Sequence, residues 1–257
     1  MKRLHKGFDI TSYLPEGFEK SISNVIIEAP VDISINAKHW LTLMCTPSHL
    51  DELAIGFLYN EGIIKTIDEI RLAEVCHNGR NIDIWLNHNV DLPDMWQRTS
   101  GCMGGATSVK IKDVAKSKII ATILHPKKIL WLTDLLLKSQ SLYAMSGGVH
   151  SSALSDGENI LVIMEDIGRH NTLDKIAGRC LMEIGFPTPG ILITTGRISS
   201  EMLQKAAHIG ASIIISRTAP SSLSIDYARY MGICLIGYAR KDRFKIYSHA
   251  EYVEQSK

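Results

Sequence analysis

Cys102 stands in the string Q-R-T-S-G-C-M-G-G-A-T, residues 97–107, among Gly101, Gly104 and Gly105. Neither a helical nor a strand-like apolar period runs through it, so the string reads as a loop. Glycines let a backbone turn sharply, uncover a sulfur and direct N–H groups at an anion. A thiol displayed this way is placed for thiolate chemistry, whereas one meant for packing is usually set among aliphatics. On these residues alone, a plain linker carrying an inert thiol is the competing reading.

The remaining cysteines sharpen the contrast. Cys45, Cys76, Cys102, Cys180 and Cys234 make an odd set of five with no C-x-x-C pair. Such scatter reads as free thiols in a reducing compartment, with neither a disulfide frame nor a zinc site. Cys45, Cys180 and Cys234 lie in apolar runs and are expected in the core. Cys76, beside His77, is open to either reading.

A second chemical set gathers where three expected strands run into helices. These turns read E-D-I-G-R-H-N (residues 165–171), T-G-R-I-S-S (195–200) and S-R-T-A-P-S-S (216–222). In an open α/β sheet, ligands collect outside the carboxyl ends of the strands. If the sheet is parallel, the three turns share one rim. Arg169, Arg197 and Arg217, with three helix N-termini, would then favour a multiply charged anion such as a nucleotide phosphate. Taken singly the turns have ordinary explanations: the hydroxyls cap helices, Asp166 pairs with Arg169, and Arg197 is solvated surface. His150 follows Gly147-Gly148-Val149. A lone histidine is ordinarily a hydrogen-bonded core residue, but the glycine pair and nearby His170 make it a candidate pocket residue.

Several elements must position these groups. Residues 1–21 are mixed and polar and read as an arm. Alternation in V-D-I-S-I marks a strand within 24–36, and a second follows at 40–45. Thr46-Pro47-Ser48 signals a helix start, and Leu50, Leu53, Ala54, Phe57 and Leu58 give one apolar helical face that stops at Glu61-Gly62. Strands are expected at 71–76 and 81–86, and Asp134 is expected to cap a helix running to Tyr143. A hairpin around Asp156-Gly157 then leads into alternating helices and strands through residue 248. That alternation predicts a three-layer α/β unit with a largely parallel sheet, preceded by a smaller α+β domain. Trp40 and Trp131 fall at apolar spacing and are expected in the core.

Composition sets limits. The chain has 257 residues, 45% hydrophobic and 21% charged, with a net charge of +1 from 28 basic and 27 acidic side chains. A core can be buried, and a broad basic face for nucleic acid is excluded, though a local anion pocket is not. Apolar runs are too short to span a bilayer and no signal peptide opens the chain, so a soluble cytoplasmic protein is expected.

The strings S-G-G-V-H-S-S-A, E-D-I-G-R-H-N-T-L-D-K, T-G-R-I-S-S-E-M-L-Q-K-A, T-A-P-S-S-L and G-Y-A-R-K-D-R-F-K-I-Y-S-H resemble the formate dehydrogenase accessory sulfurtransferases, the FdhD/NarQ family. N-E-G-I-I and the S-G-C loop also match, so the resemblance covers about residues 24–253. After the arm (1–21) and an α+β domain (22–125) ending in the Cys102 loop, it implies a domain similar in fold to cytidine deaminases (126–257), acting as a homodimer. It also implies sulfurtransferase activity. Persulfide sulfur comes from a cysteine desulfurase and goes to a molybdenum cofactor carrying two pterin guanine dinucleotides, needed by formate dehydrogenase. The persulfide cysteine falls on Cys102. A cofactor-binding segment falls on Tyr238, Ala239, Arg240, Lys241, Asp242 and Arg243. Arg197, His150, Arg169 and His170 complete the expected site, with no metal of its own.

Two departures bear on chemistry. Many relatives have a second cysteine where this chain has Gly105, so only a single-cysteine mechanism is open to it. The deaminase pattern H-x-E with P-C-x-x-C is missing, so a deaminase-like fold would not bring zinc chemistry. Loss of the second cysteine keeps one rival in play, a non-catalytic chaperone that holds the guanine-containing cofactor. A Cys–His hydrolase using His150 or His170 is a third reading.

Overall fold

The computed structural model describes residues 4–76, 79–91, 97–98, 106–107, 120 and 122–255. Its first element is a two-stranded ribbon, β1 (His5–Leu14) against β2 (Gly17–Ile26), paired antiparallel from His5↔Ile26 to Leu14↔Gly17. The expected arm is therefore a hairpin, and it runs past residue 21. Residues 24–26 complete β2, so the next strand begins later than the alternation suggested.

That strand, β3 (Ala29–Ile35), buries Val31, Ile33 and Ile35 and leaves Asp32 and Ser34 between them half-buried. Asn36 and Ala37, both with positive φ, turn the chain into β4 (Lys38–Cys45). With β5 (Ile70–Val75) and β6 (Asn81–Leu86) these form a sheet of order β4-β3-β6-β5, in which only β3 and β6 are parallel. Helix α1 (Leu50–Asn60) buries Leu53, Ala54, Phe57 and Leu58 in the core of this sheet. Gly62 follows it at φ 70°, as expected of a helix stop. The start signal at Thr46 acts differently: its hydroxyl accepts from Ile167 N at 3.1 Å, far along the chain.

A short strand pair comes next, β7 (Gln97–Arg98) with β8 (Ala106–Thr107), in the register Gln97↔Thr107 and Arg98↔Ala106. Cys102, between them in sequence, lies outside the described residues.

Helix α2 (Pro126–Lys138) corrects the expected helix at 134–143. Proline stands in its first turn and His125 Nδ1 accepts from Lys127 N at 3.1 Å, so capping falls on His125. Asp134 sits inside the helix and pairs with Lys138 Nζ at 2.6 Å. A separate α3 (Leu142–Ser146) follows. The inward face of α2 is Ile129, Leu132, Thr133 and Leu136. Trp131 falls off that face and is 43% exposed, whereas Trp40 is buried as expected.

The larger sheet joins β9 (His150–Ser155), β10 (Ile160–Asp166), β11 (Gly190–Thr194), β12 (Ala211–Ser216), β13 (Cys234–Arg240) and β14 (Arg243–Ser248) in the order β10-β9-β11-β12-β13-β14. It is mixed, not largely parallel. Only β11/β12 and β12/β13 are parallel, because short hairpins at each edge can join antiparallel strands only. The shared rim survives this correction. β10 and β11 both oppose β9, so β10, β11, β12 and β13 all point the same way. Helices α4 (Arg169–Arg179), α5 (Ser200–His208) and α6 (Ser222–Met231) pack on one face with Leu192, Ile214 and Leu235. α2 packs on the other with Ile191, Ile193, Ile213, Ile215 and Ile236. Cys45, Cys180 and Cys234 are buried, and burial pushes each thiol up to about 12.

Helix α1 joins the two sheets by crossing α4 at glycines. A Cβ on Gly56 would strike the Asp174 carbonyl, and one on Gly178 the Glu52 carbonyl. Beside this crossing, polar side chains bridge the halves. Asp166 accepts from Lys175 Nζ at 2.6 Å, Thr46 N at 3.1 Å, and Gly168 N and Asn171 Nδ2 at 2.8 and 2.9 Å. Lys175 Nζ also donates to Thr46 O at 3.1 Å, and Asn171 Nδ2 to Met44 O at 2.9 Å. Asp174 accepts from Asn60 Nδ2 and Lys205 Nζ. Asp166 thus pairs with Lys175. Removing one partner of a fully buried ion pair strands the other charge. Lys175→Met should cost on the order of 3–5 kcal/mol in urea unfolding, and Lys175→Met with Asp166→Asn should recover part of that loss.

Candidate functional site

The rim formed by the carboxyl ends of β10, β11, β12 and β13 carries two clefts. The β13–β14 turn and α2 enclose one of about 890 Å³, lined by Ala239, Arg240, Lys241, Asp242 and Arg243 opposite Leu130, Trp131, Asp134 and Leu137. A second, of about 410 Å³, opens between α3 and the start of β9, with Gln140, Tyr143, Gly147, Gly148, His150 and Thr195 among its walls. Arg217, after β12, borders both.

Local backbone explains the first cleft. Tyr238 N donates to Thr218 O at 3.0 Å, and the β13/β14 register shifts between Gly237 and Arg240. Gly237 permits this approach, since a Cβ there would lie 2.9 Å from Thr218 O and from Tyr247 Cε2. Arg240 pairs with Arg243 across a two-residue turn, so Arg240, Lys241 and Arg243 stand together and exposed. Arg240 Nε donates to Arg217 O at 3.2 Å, fixing this turn to the β12 end. Arg217 Nε is buried without a hydrogen-bond partner among the described residues, a donor that an anion would satisfy. Tyr238 borders neither cleft; its ring lies 5.0 Å from Lys245 Nζ.

Of the other expected residues only His150 lines the second cleft; Arg169, His170 and Arg197 line neither cleft and act on His150 through their charge. Burial lowers the His150 pKa below 6.5, and the positive fields of Arg169, His170 and Arg197 lower it further against Asp166. Near neutrality its imidazole is therefore uncharged. Arg169 and His170 are largely buried while Arg197 is exposed. His170 Nε2 lies 3.1 Å from Glu201 Oε2 and 3.3 Å from Ser199 Oγ, so α5 orients its ring. Burial, chiefly, lowers its pKa as well.

Glu165 acts on this cleft indirectly, by holding the first turn of α3. Its carboxylate accepts from Ser141 N, Ser141 Oγ, Leu142 N and Tyr143 N at 2.8–3.0 Å and from Ser151 Oγ at 3.1 Å. It caps α3, which is why a new helix starts there. Trp131 and Asp134 are the wall residues that the sequence reading placed elsewhere. A helical wheel begun at Pro126 would have set both apart from the Ile129-Leu132-Leu136 stripe. Among the described residues, no group of three or more His, Cys, Asp or Glu is placed to hold a metal, and no helix is long and apolar enough to cross a membrane.

The FdhD/NarQ family profile matches residues 26–254. The sulfur carrier protein FdhD of Bacillus subtilis is 35% identical over 253 residues, covering 96% of this chain and 97% of its own. That of Staphylococcus haemolyticus is 34% identical, covering 98% of each. A crystal structure of a candidate formate dehydrogenase accessory protein from Desulfotalea psychrophila superposes with a TM-score of 0.81 at 28% identity, over 98% of this chain and 100% of that one. The chain belongs to the FdhD/NarQ family.

Burial alone would raise the Glu165 pKa. The N–H groups of Leu142, Tyr143 and Ser141, with the Ser141 hydroxyl, outweigh burial and hold it below the ordinary 4.5. Its stabilisation is thus full above about pH 4.5 and is lost as pH falls through the lowered folded value. Glu165→Gln should destabilise by about 1–3 kcal/mol at pH 7, and the gap from wild type in urea unfolding should begin to close as pH falls below 4.5.

Proposed function

We propose that this protein is a sulfurtransferase that carries persulfide sulfur on Cys102 to a molybdenum cofactor held by its guanine dinucleotide tails on the rim. The observation that supports it most is the row of Arg217, Arg240, Lys241 and Arg243 lining one cleft, with the unpartnered Nε of Arg217 among them. Guanidinium and ammonium groups so placed suit a diphosphate. Arg169 and Arg197 extend the positive field towards the neutral His150 in the second cleft. Relatives named sulfur carriers, matched over nearly the whole chain, add weight to the Cys102 assignment.

The chemistry runs in two exchanges. The Cys102 thiolate attacks the terminal sulfur of a cysteine desulfurase persulfide. A new S–S bond forms on Cys102, and the old one breaks with its electron pair leaving on the desulfurase thiolate. An acceptor on the bound cofactor then supplies an electron pair to the terminal sulfur, and Cys102 departs as thiolate. Cys45, Cys180 and Cys234 suit neither step, since a thiol with a pKa of about 12 is almost wholly protonated near neutrality. Gly105 leaves Cys102 to act without a neighbouring thiol.

Further parts of the reading are an α+β domain at 22–125, a cytidine-deaminase-like domain at 126–257, a homodimer, a cytoplasmic setting and formate dehydrogenase as the enzyme served. Incubation with a cysteine desulfurase and L-cysteine should add one sulfur to the intact mass, and Cys102→Ser should abolish it. No adduct on wild type would favour a chaperone that binds the cofactor without covalent transfer. Guanosine diphosphate should bind wild type and bind Arg197→Ala more weakly; equal affinities would remove Arg197 from the site.

A further inference from the structure

Resting on the reading that the larger cleft holds a nucleotide, we infer that Trp131 and Asp134 of α2 recognise its base and select guanine. The cleft has two unlike walls. Arg217, Arg240, Lys241 and Arg243 make one wall cationic, and the α2 wall opposite is apolar and aromatic, with a single carboxylate. A nucleotide has the same division, with charged phosphates at one end and a flat, nearly neutral base at the other. A volume of about 890 Å³ lies within the usual range for small-molecule sites.

Trp131 has the properties of a stacking platform. It is 43% exposed, unusual for so large an indole on a helix that packs against a sheet, and it stays beside the cleft. Lys128 Nζ lies 4.5 Å from its ring centroid and is itself bonded to Glu158 at 3.0 Å, which steadies the ring. Aromatic side chains hold purines this way without selecting among them.

Selection falls to Asp134, one helical turn further on. A carboxylate only accepts hydrogen bonds. Guanine presents N1–H and its N2 amino group side by side, two donors that match two carboxylate oxygens. Adenine presents a lone pair at N1, which a carboxylate repels. Asp134 is 57% exposed and its Lys138 partner 73% exposed, so their surface pair gives little stability and leaves the carboxylate free to turn to a ligand.

Titration calorimetry of the full chain with guanosine, inosine, xanthosine and adenosine diphosphates, and with pyrophosphate, tests this. Wild type should prefer the guanosine over the adenosine nucleotide by about tenfold or more, with inosine between. Asp134→Asn should weaken the guanosine nucleotide by about tenfold and tighten the xanthosine one, whose C2 carbonyl accepts from the new amide. Trp131→Ala should weaken every nucleotide about tenfold and leave pyrophosphate unchanged. Equal binding of adenosine and guanosine nucleotides to wild type, or an unchanged guanosine-to-xanthosine ratio in Asp134→Asn, would overturn the inference. If pyrophosphate binds wild type as tightly as the guanosine nucleotide, base recognition falls and the phosphate rim stands. If neither binds, the nucleotide reading of the cleft falls with it. Both side chains are on the surface, and unchanged melting temperatures would show that the variants fold.

Discussion

The buried pair of Asp166 and Lys175 holds this molecule in its working shape. Neither side chain reaches solvent, and their hydrogen bonds run to the backbone at Thr46, where the first sheet hands the chain to α1. Two charges taken out of water are costly unless each is fully satisfied. Here the carboxylate has four protein donors, and the ammonium has the carboxylate and a carbonyl. The arrangement can be met only when α1 lies against α4 at the Gly56 and Gly178 crossing. Charge, glycine and helix contact therefore specify one another.

This bracing explains how a motif can carry few ligand-facing residues and still matter to the site. In E-D-I-G-R-H-N-T-L-D-K, Asp166, Asn171, Asp174 and Lys175 point inward, and Glu165 caps α3. Arg169 and His170 remain beside His150. The inward residues fix where β10 ends and α4 starts, and so where Arg169 and His170 stand. The rim owes its common direction to strand order: with β9 reversed between β10 and β11, an antiparallel neighbour leaves the carboxyl ends aligned.

Much of this was legible beforehand. The α5 and β12 boundaries follow directly from alternation and capping, and the three turns do share an edge. The motif's inward direction was not legible, because isolated Asp and Lys residues are ordinarily exposed and nothing local announces a partner more than a hundred residues away. The mixed sheet was missed because strand spacing fixes which connections are short, not where a hairpin is inserted. α2 was misplaced because Asp134 resembles a cap, whereas the histidine and proline at 125–126 hold that office. Trp131 followed from the same error: with the helix begun too late, its outward face could not be drawn.

The turn at Lys241 has one more consequence. Tyr238 and Lys241 both hold left-handed backbone angles, φ 53° and 48°, without being glycine. Such geometry costs an L-residue about 1–2 kcal/mol. The fold thus accepts conformational tension where its positive charge is densest. Glycine at 241 would relax the hairpin and raise its resistance to heat, yet would remove a cation from the cleft. Durability and grip are opposed at that one position, and the chain has settled on grip.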